Sequence, residues 1–158
     1  MTGTSSDFGV VAPATALSMS GLEFLRAIRC GELPAPPVTQ LLDYVIDEIE
    51  PGRVTFSGQP HESQYNILGT IHGGVIGTLL DSAMGCAVHT RLEAGQSYTT
   101  LELKVNYVRP VTVATGPTTA LGQALHVGQR TATAEGRLTD AAGRLLAHAT
   151  TTCLVVAP

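Results

Sequence analysis

Residues 75–88 constrain this chain more than any other stretch. Val75, Ile76, Leu79, Leu80, Ala83, Met84, Cys86, Ala87 and Val88 surround nearly the whole circumference of a helix. A helix that is apolar almost all round has to be buried, so the rest of the chain must cover it. The exceptions, Thr78, Asp81, Ser82, Gly85 and His89, recur at three- and four-residue spacing and form one narrow stripe of small or polar groups. Asp81 stands in its middle. An unpaired buried carboxylate is costly, so Asp81 must be hydrogen-bonded, hold its proton more readily, or line a cleft. From the helix pattern alone, an acid satisfied by Thr78, Ser82 or a backbone group is as compatible as an acid kept for chemistry.

The residues just upstream favour chemistry. The segment 66–74 reads Asn-Ile-Leu-Gly-Thr-Ile-His-Gly-Gly and leads straight into that helix. His72 before a helix start reads first as a cap, and Gly73-Gly74 as a turn. The first backbone N–H groups of a helix nevertheless lack intrahelical partners and carry the positive end of the dipole. Such donors can polarise a carbonyl and hold a developing oxyanion. Gly73 and Asp81 are eight residues apart, about 12 Å along a helix. They cannot meet at one carbonyl within one chain. If both act, they come from different subunits across a two-fold axis, so an enzyme of this design is at least a dimer.

The remaining patterns describe what covers the helix. Ser20-Gly21-Leu22-Glu23 has capping-box spacing, and Leu22, Leu25, Ile28 and Arg29 follow at helical intervals, predicting a short amphipathic helix over about 20–31. Gly31 stops it, and Pro34, Pro36 and Pro37 predict an extended connector. Residues 1–16 are small, polar and aperiodic, and predict a disordered or loosely docked tail. Strands are predicted at about 42–50 and 53–58 around Pro51-Gly52, then a polar irregular loop over 59–71, then the long helix at about 73–90. Tyr98–Val108 alternates, with Thr99, Leu101, Leu103, Val105 and Tyr107 on one face and Thr100, Glu102, Lys104 and Asn106 on the other. Further strands are predicted at about 117–127, 130–139 and 143–156, the last two joined by a tight turn at Asp140-Ala141-Ala142-Gly143. One long helix against a mostly antiparallel sheet is an α+β architecture.

Composition narrows the function. The chain has 158 residues, 44% hydrophobic and 14% charged. So little charge implies that other copies of the chain cover part of the surface. No Trp, 4% aromatics and a net charge of −4 argue against a nucleic-acid partner. Residues 1–90 carry three basic and nine acidic side chains, and residues 91–158 six basic and four acidic, so the C-terminal part is the more positive. Cys30, Cys86 and Cys153 are odd in number and widely spaced, as in a reduced, cytoplasmic protein. No basic n-region precedes Arg26 and no apolar run is long enough for a membrane span, so no membrane partner is expected. His61-Glu62 lacks the second His of a zinc motif, and neither a G-x-S-x-G elbow nor a phosphate loop occurs. No metal or other cofactor is implied.

Taken together, Asn66, Gly69, His72-Gly73-Gly74, Asp81 and the strand ending Asn106-Tyr107-Val108-Arg109-Pro110 resemble the hotdog-fold acyl-CoA thioesterases of the PaaI-like type. The similarity runs over roughly 41–156. It implies a hotdog domain over 41–158, a long central helix wrapped by a curved antiparallel sheet, preceded by a segment 1–40 with the short helix and Pro-rich connector. It implies a homodimer or homotetramer that hydrolyses an acyl-CoA to acid and CoA. Carried over by position, Asp81 would activate water or attack the thioester. The Gly73 N–H of the partner chain would polarise the carbonyl, with Asn66 helping to hold the carbonyl or the water. His72 and Gly74 would shape the turn and contact substrate. Some relatives place a hydroxyl one turn after the acid, where this chain has Gly85. The nearest substitute is Thr100 on the following strand, which strict alternation turns to the wrong face unless a bulge intervenes. Arg109 and Arg130 are the candidate contacts for CoA phosphates. A protein that binds acyl-CoA without turnover is the alternative reading. A hydratase on the same fold would need a His paired with the acid, and His89 is eight residues from Asp81.

Overall fold

Six antiparallel strands wrap one long helix because that helix has no polar side to leave in water. The computed structural model describes residues 7–157. In chain order these form α1 (Pro13–Leu17), α2 (Gly21–Arg29), α3 (Pro37–Leu42), β1 (Tyr44–Glu50), β2 (Arg53–Gly58), α4 (Gly73–His89), β3 (Ser97–Tyr107), β4 (Thr118–Val127), β5 (Thr131–Asp140) and β6 (Leu145–Val156). Strand order across the sheet is β1-β2-β4-β5-β6-β3. The sheet curls round α4, the hotdog arrangement expected from the resemblance. Leu80, Ala83, Met84, Ala87 and Val88 are fully buried against Val54, Phe56, Ala120, Ala134, Leu138 and Ala149. At Gly122 helix and sheet nearly touch: a Cβ there would sit 2.1 Å from the Ala83 carbonyl oxygen.

The two sheet edges differ. β1 carries Asp47, Glu48 and Glu50, Arg53 pairs with both glutamates, and α2 and α3 pack beside it. Among the described residues no strand pairs with the outer side of the eleven-residue β3, which exposes Leu101, Leu103 and Tyr107. A long edge with exposed apolar side chains is a surface for pairing with another strand.

Several local expectations hold. Ser20 accepts from the Glu23 N–H while Glu23 Oε2 accepts from the Ser20 N–H at 2.9 Å, completing the capping box. Asp140 Oδ1 accepts from the N–H groups of Ala142 and Arg144 at 3.0 and 2.9 Å, and Gly143 takes φ +75°, closing the last hairpin. The N-terminal segment departs from expectation. Residues 1–6 of the expected tail lie outside the described residues. Beyond them, Gly9 donates to Ala35, Ala35 donates to Asp7, and Pro13 opens α1. The proline connector ends in a helix instead of staying extended, because Pro37 stands at a first helical position where its missing N–H costs nothing. Asp43, at φ +52°, stops α3 and delays the first strand to Tyr44. Leu25 and Ile28 of α2 join the same core as α4. Among the described residues no helix is long and apolar enough to cross a membrane.

Candidate active site

The start of α4 presents a free donor. His72 Nδ1 accepts from the Gly74 N–H at 2.9 Å, so the imidazole caps the helix. The Tyr107 hydroxyl donates to the Gly73 carbonyl at 2.8 Å, and a Cβ on residue 73 would meet that hydroxyl at 3.0 Å. Among the described residues the Gly73 N–H has no acceptor. It stands at the positive end of a 17-residue helix, where a carbonyl oxygen would be polarised.

Asn66 builds the loop that leads there. Its Oδ1 accepts from the N–H groups of Leu68 and Thr70 at 2.8 and 3.4 Å, and its Nδ2 donates to Thr70 Oγ1 at 2.9 Å. Gly69, at φ +74°, permits the reversal. Asn66 is therefore satisfied within its own turn and makes no bond to Asp81. The turn holds Ile67 fully and Leu68 largely in solvent. The stretch expected as irregular is tied down throughout: Gln64 Nε2 donates to the Leu42 carbonyl at 2.7 Å, Ile71 N–H to Val111 at 2.8 Å, and Val113 N–H to the Tyr65 hydroxyl at 3.0 Å.

Asp81 is held from the sheet. Thr100 Oγ1 donates to Asp81 Oδ1 at 3.0 Å. Strict alternation would point Thr100 away, and a bulge corrects this: Thr100 pairs with Cys153 and Glu102 with Thr152, leaving Leu101 unmatched. The extra residue moves the inward face from Tyr98 and Thr100 before the bulge to Leu103 and Tyr107 after it, where both approach Gly77. The candidate local partners of the acid serve elsewhere. Thr78 donates to the Gly74 carbonyl and Ser82 shares a 3.0 Å bond with the Tyr44 hydroxyl. Among the described residues no cation lies in salt-bridge range of Asp81.

Asp81 has weak acids for neighbours. Burial first, and the Asp81 charge second, push the Cys86 thiol up to about 12. Burial and the same charge raise the Tyr44 and Tyr98 hydroxyls and the Cys153 thiol. All four therefore stay neutral near pH 7. Tyr98 fills the space beside Gly85: a Cβ there would lie 2.4 Å from the Tyr98 hydroxyl. Sequence reasoning missed Tyr98, although its place two residues before Thr100 puts both on one side of the strand. His89 packs between Phe24 and Tyr98, and burial lowers its pKa.

The two candidate phosphate contacts lie far apart within one chain. Arg109 follows the end of β3 and donates to the Leu145 carbonyl, so part of its guanidinium serves the fold. Arg130 lies in the β4–β5 turn, next to the end of β6 and the start of β3. A small cavity of about 30 Å³ opens between the first turns of α4 and the 59–64 loop. Val75, Ile76, Leu79, Ile71, Val111 and Leu138 give it an apolar wall. Asp81 does not line it.

These features meet a family at the level of sequence. The thioesterase superfamily model matches residues 68–147. A protein of Saccharolobus solfataricus named for esterase activity is 31% identical over 115 residues, 73% of this chain and 80% of that protein. The structure is similar to that of the phenylacetic acid degradation protein PaaI of Thermus thermophilus, at 28% identity and TM-score 0.67, covering 75% of this chain and 97% of that one. It is also similar to smu.793 of Streptococcus mutans, bound to acetyl CoA, at 25% identity and TM-score 0.67, covering 73% and 90%. The chain belongs to the thioesterase superfamily and is a hotdog-fold thioester hydrolase of the PaaI type.

Proposed function

We propose that the substrate is an acyl-CoA and that each site is shared by two protomers. The observation that carries this reading is the placement of a free donor and a held acid on one helix: the Gly73 N–H at its start, Asp81 about 12 Å along it. One thioester cannot reach both within a chain. Antiparallel pairing of two β3 edges would set the Asp81 of one protomer opposite the Gly73 of the other. It would also bring the Arg109 end of one β3 beside the Arg130 end of its partner, giving CoA phosphates both cations. The acetyl-CoA complex of the S. mutans neighbour supports a CoA ester as ligand.

In this reading the thioester oxygen lies against the Gly73 N–H, with Gly74 and the His72 cap shaping the turn, and Asn66 keeping the approach loop in register. The acyl group extends into the cavity under Val75, Ile76 and Leu79. The partner's acid, oriented by Thr100, takes a proton from water as the water oxygen bonds to the carbonyl carbon. The C–S bond then breaks, and CoA leaves as the thiolate and collects that proton. Direct attack by the carboxylate, followed by hydrolysis of the anhydride, uses the same groups. Residues 41–158 would carry the reaction. Thiol release from acetyl-, hexanoyl-, benzoyl- and phenylacetyl-CoA tests the substrate class. Turnover of at least one is expected, and none with any would overturn the reading.

A further inference from the structure

Helix α2 is linked to the neighbourhood of the acid through three rings in contact. A Cβ on Gly21 would lie 1.9 Å from the His89 carbonyl oxygen, so α2 is seated directly on the end of α4. Phe24 of α2 stacks on His89 with centroids 5.6 Å apart, and His89 meets the Tyr98 ring edge-on at 5.5 Å. Tyr98 in turn covers Gly85, one helical turn beyond Asp81. Among the described residues the Tyr98 hydroxyl has no hydrogen-bond partner, and only one oxygen of Asp81 is bonded, to Thr100. Positions four apart on a helix hold Cβ atoms roughly 5–6 Å from each other. The Tyr98 hydroxyl, 2.4 Å from the Cβ position of residue 85, therefore stands on the Asp81 side of α4 and feels the charge of that carboxylate.

We propose that the Tyr98 hydroxyl and the free oxygen of Asp81 hold the hydrolytic water between them, and that Phe24 and His89 are positioning residues that fix the Tyr98 ring. This rests on Asp81 being the acid of the site. The water donates one hydrogen to Asp81 and the other to the Tyr98 oxygen, which directs its lone pairs at the carbonyl carbon. Its first proton passes to Asp81, the C–S bond breaks, and the thiolate takes up that proton. Tyr98 keeps its own proton throughout. Burial holds that hydroxyl well above the ordinary tyrosine range, so it neither ionises nor competes with the acid. The absence of a side chain at Gly85 becomes a requirement, because any Cβ would expel the hydroxyl.

The test is steady-state thiol release from the best acyl-CoA of the panel by the full chain. Tyr98→Phe keeps the ring and the stack and removes only the hydroxyl. It should lower kcat on the order of 10–100-fold with KM within about twofold and the melting temperature within about 2 °C. Phe24→Leu should lower kcat less in the parental chain, and should have no effect on kcat when added to Tyr98→Phe. A merely structural role would make the two losses add and would move melting temperature with kcat. Parental kcat in Tyr98→Phe, alongside a dead Asp81→Asn, overturns this inference and leaves the acid in place. Parental kcat in Asp81→Asn overturns both.

Discussion

Thr100 Oγ1 donates to Asp81 Oδ1 at 3.0 Å, and it does so because β3 bulges at the very next residue. Without the extra residue at Leu101, a strand with Leu103 and Tyr107 facing the helix would turn Thr100 outward. The bulge therefore serves both ends of α4: Thr100 reaches the acid, and Tyr107 reaches the Gly73 carbonyl at 2.8 Å.

The acid and its hydroxyl partner should separate cleanly in kinetics. Asp81→Asn keeps an acceptor for Thr100 and should leave a folded oligomer whose kcat falls at least about 1000-fold, within the range of a general base. Thr100→Val should cost about 10–100-fold in kcat with little change in KM, since it loosens the carboxylate without removing it. Thiol-release kinetics and a thermal melt on each variant check both statements. A Thr100→Val enzyme at the parental rate would remove Thr100 from the site.

Gly122 is the tightest contact between sheet and helix. Gly122→Ala would place a Cβ 2.1 Å from the Ala83 carbonyl oxygen, and backbone on both sides leaves nothing flexible to yield. The expected loss is about 1–3 kcal/mol or more, read as a fall in the chemical-denaturation midpoint. Gly136→Ala is the milder comparison, because its Cβ would meet the flexible Met84 side chain at 3.0 Å.

His89 makes stability depend on acid. Burial lowers its pKa below the ordinary 6.5, so the unfolded chain binds a proton more readily than the folded one. Its contribution to stability is complete above the unfolded value and is lost as pH falls from about 6.5 towards the folded pKa. The melting temperature should drop over that window, and His89→Phe should flatten the drop. Equal slopes in both proteins would contradict it.

The open edge of β3 predicts assembly. Light scattering should give a mass at least twice the 16.4 kDa of one chain. Leu101→Lys with Leu103→Lys places charge on that edge and should shift the mass towards a single chain. Activity should fall with it, since monomers would hold only half-sites.

What the sequence disclosed was local. The apolar girth of α4, the His72-Gly73-Gly74 start, the Ser20 capping box and the Asp140 turn each depend on residues within a few positions, and each is found where the pattern puts it. The misreadings involve relations across the fold. Alternation over 98–108 could not show a bulge, because the shift is set by pairing with β6. The prolines of 34–37 read as an extended connector because a proline also fits the first turn of a helix, and only packing decides. Arg109 carried no mark of its bond to the Leu145 carbonyl. Tyr98 lay outside the reading because Gly85 looked like an omission, and the ring that fills it comes from another element.

Gly73 and Asp81 of different chains make one site in this mechanism, and subunit mixing reveals whether they do. Gly73→Pro removes the N–H at a first helical position that tolerates proline. Asp81→Asn removes the acid. Each variant alone should be inactive. Unfolded together and refolded in equal amounts, they should recover about a quarter of the parental activity per chain, because half the dimers are hybrids and each hybrid carries one intact site. If Gly73 and Asp81 acted within one chain, every site in the mixture would lack one of them. Activity no higher than that of the separate variants, with hybrid dimers verified by mass, would contradict the account.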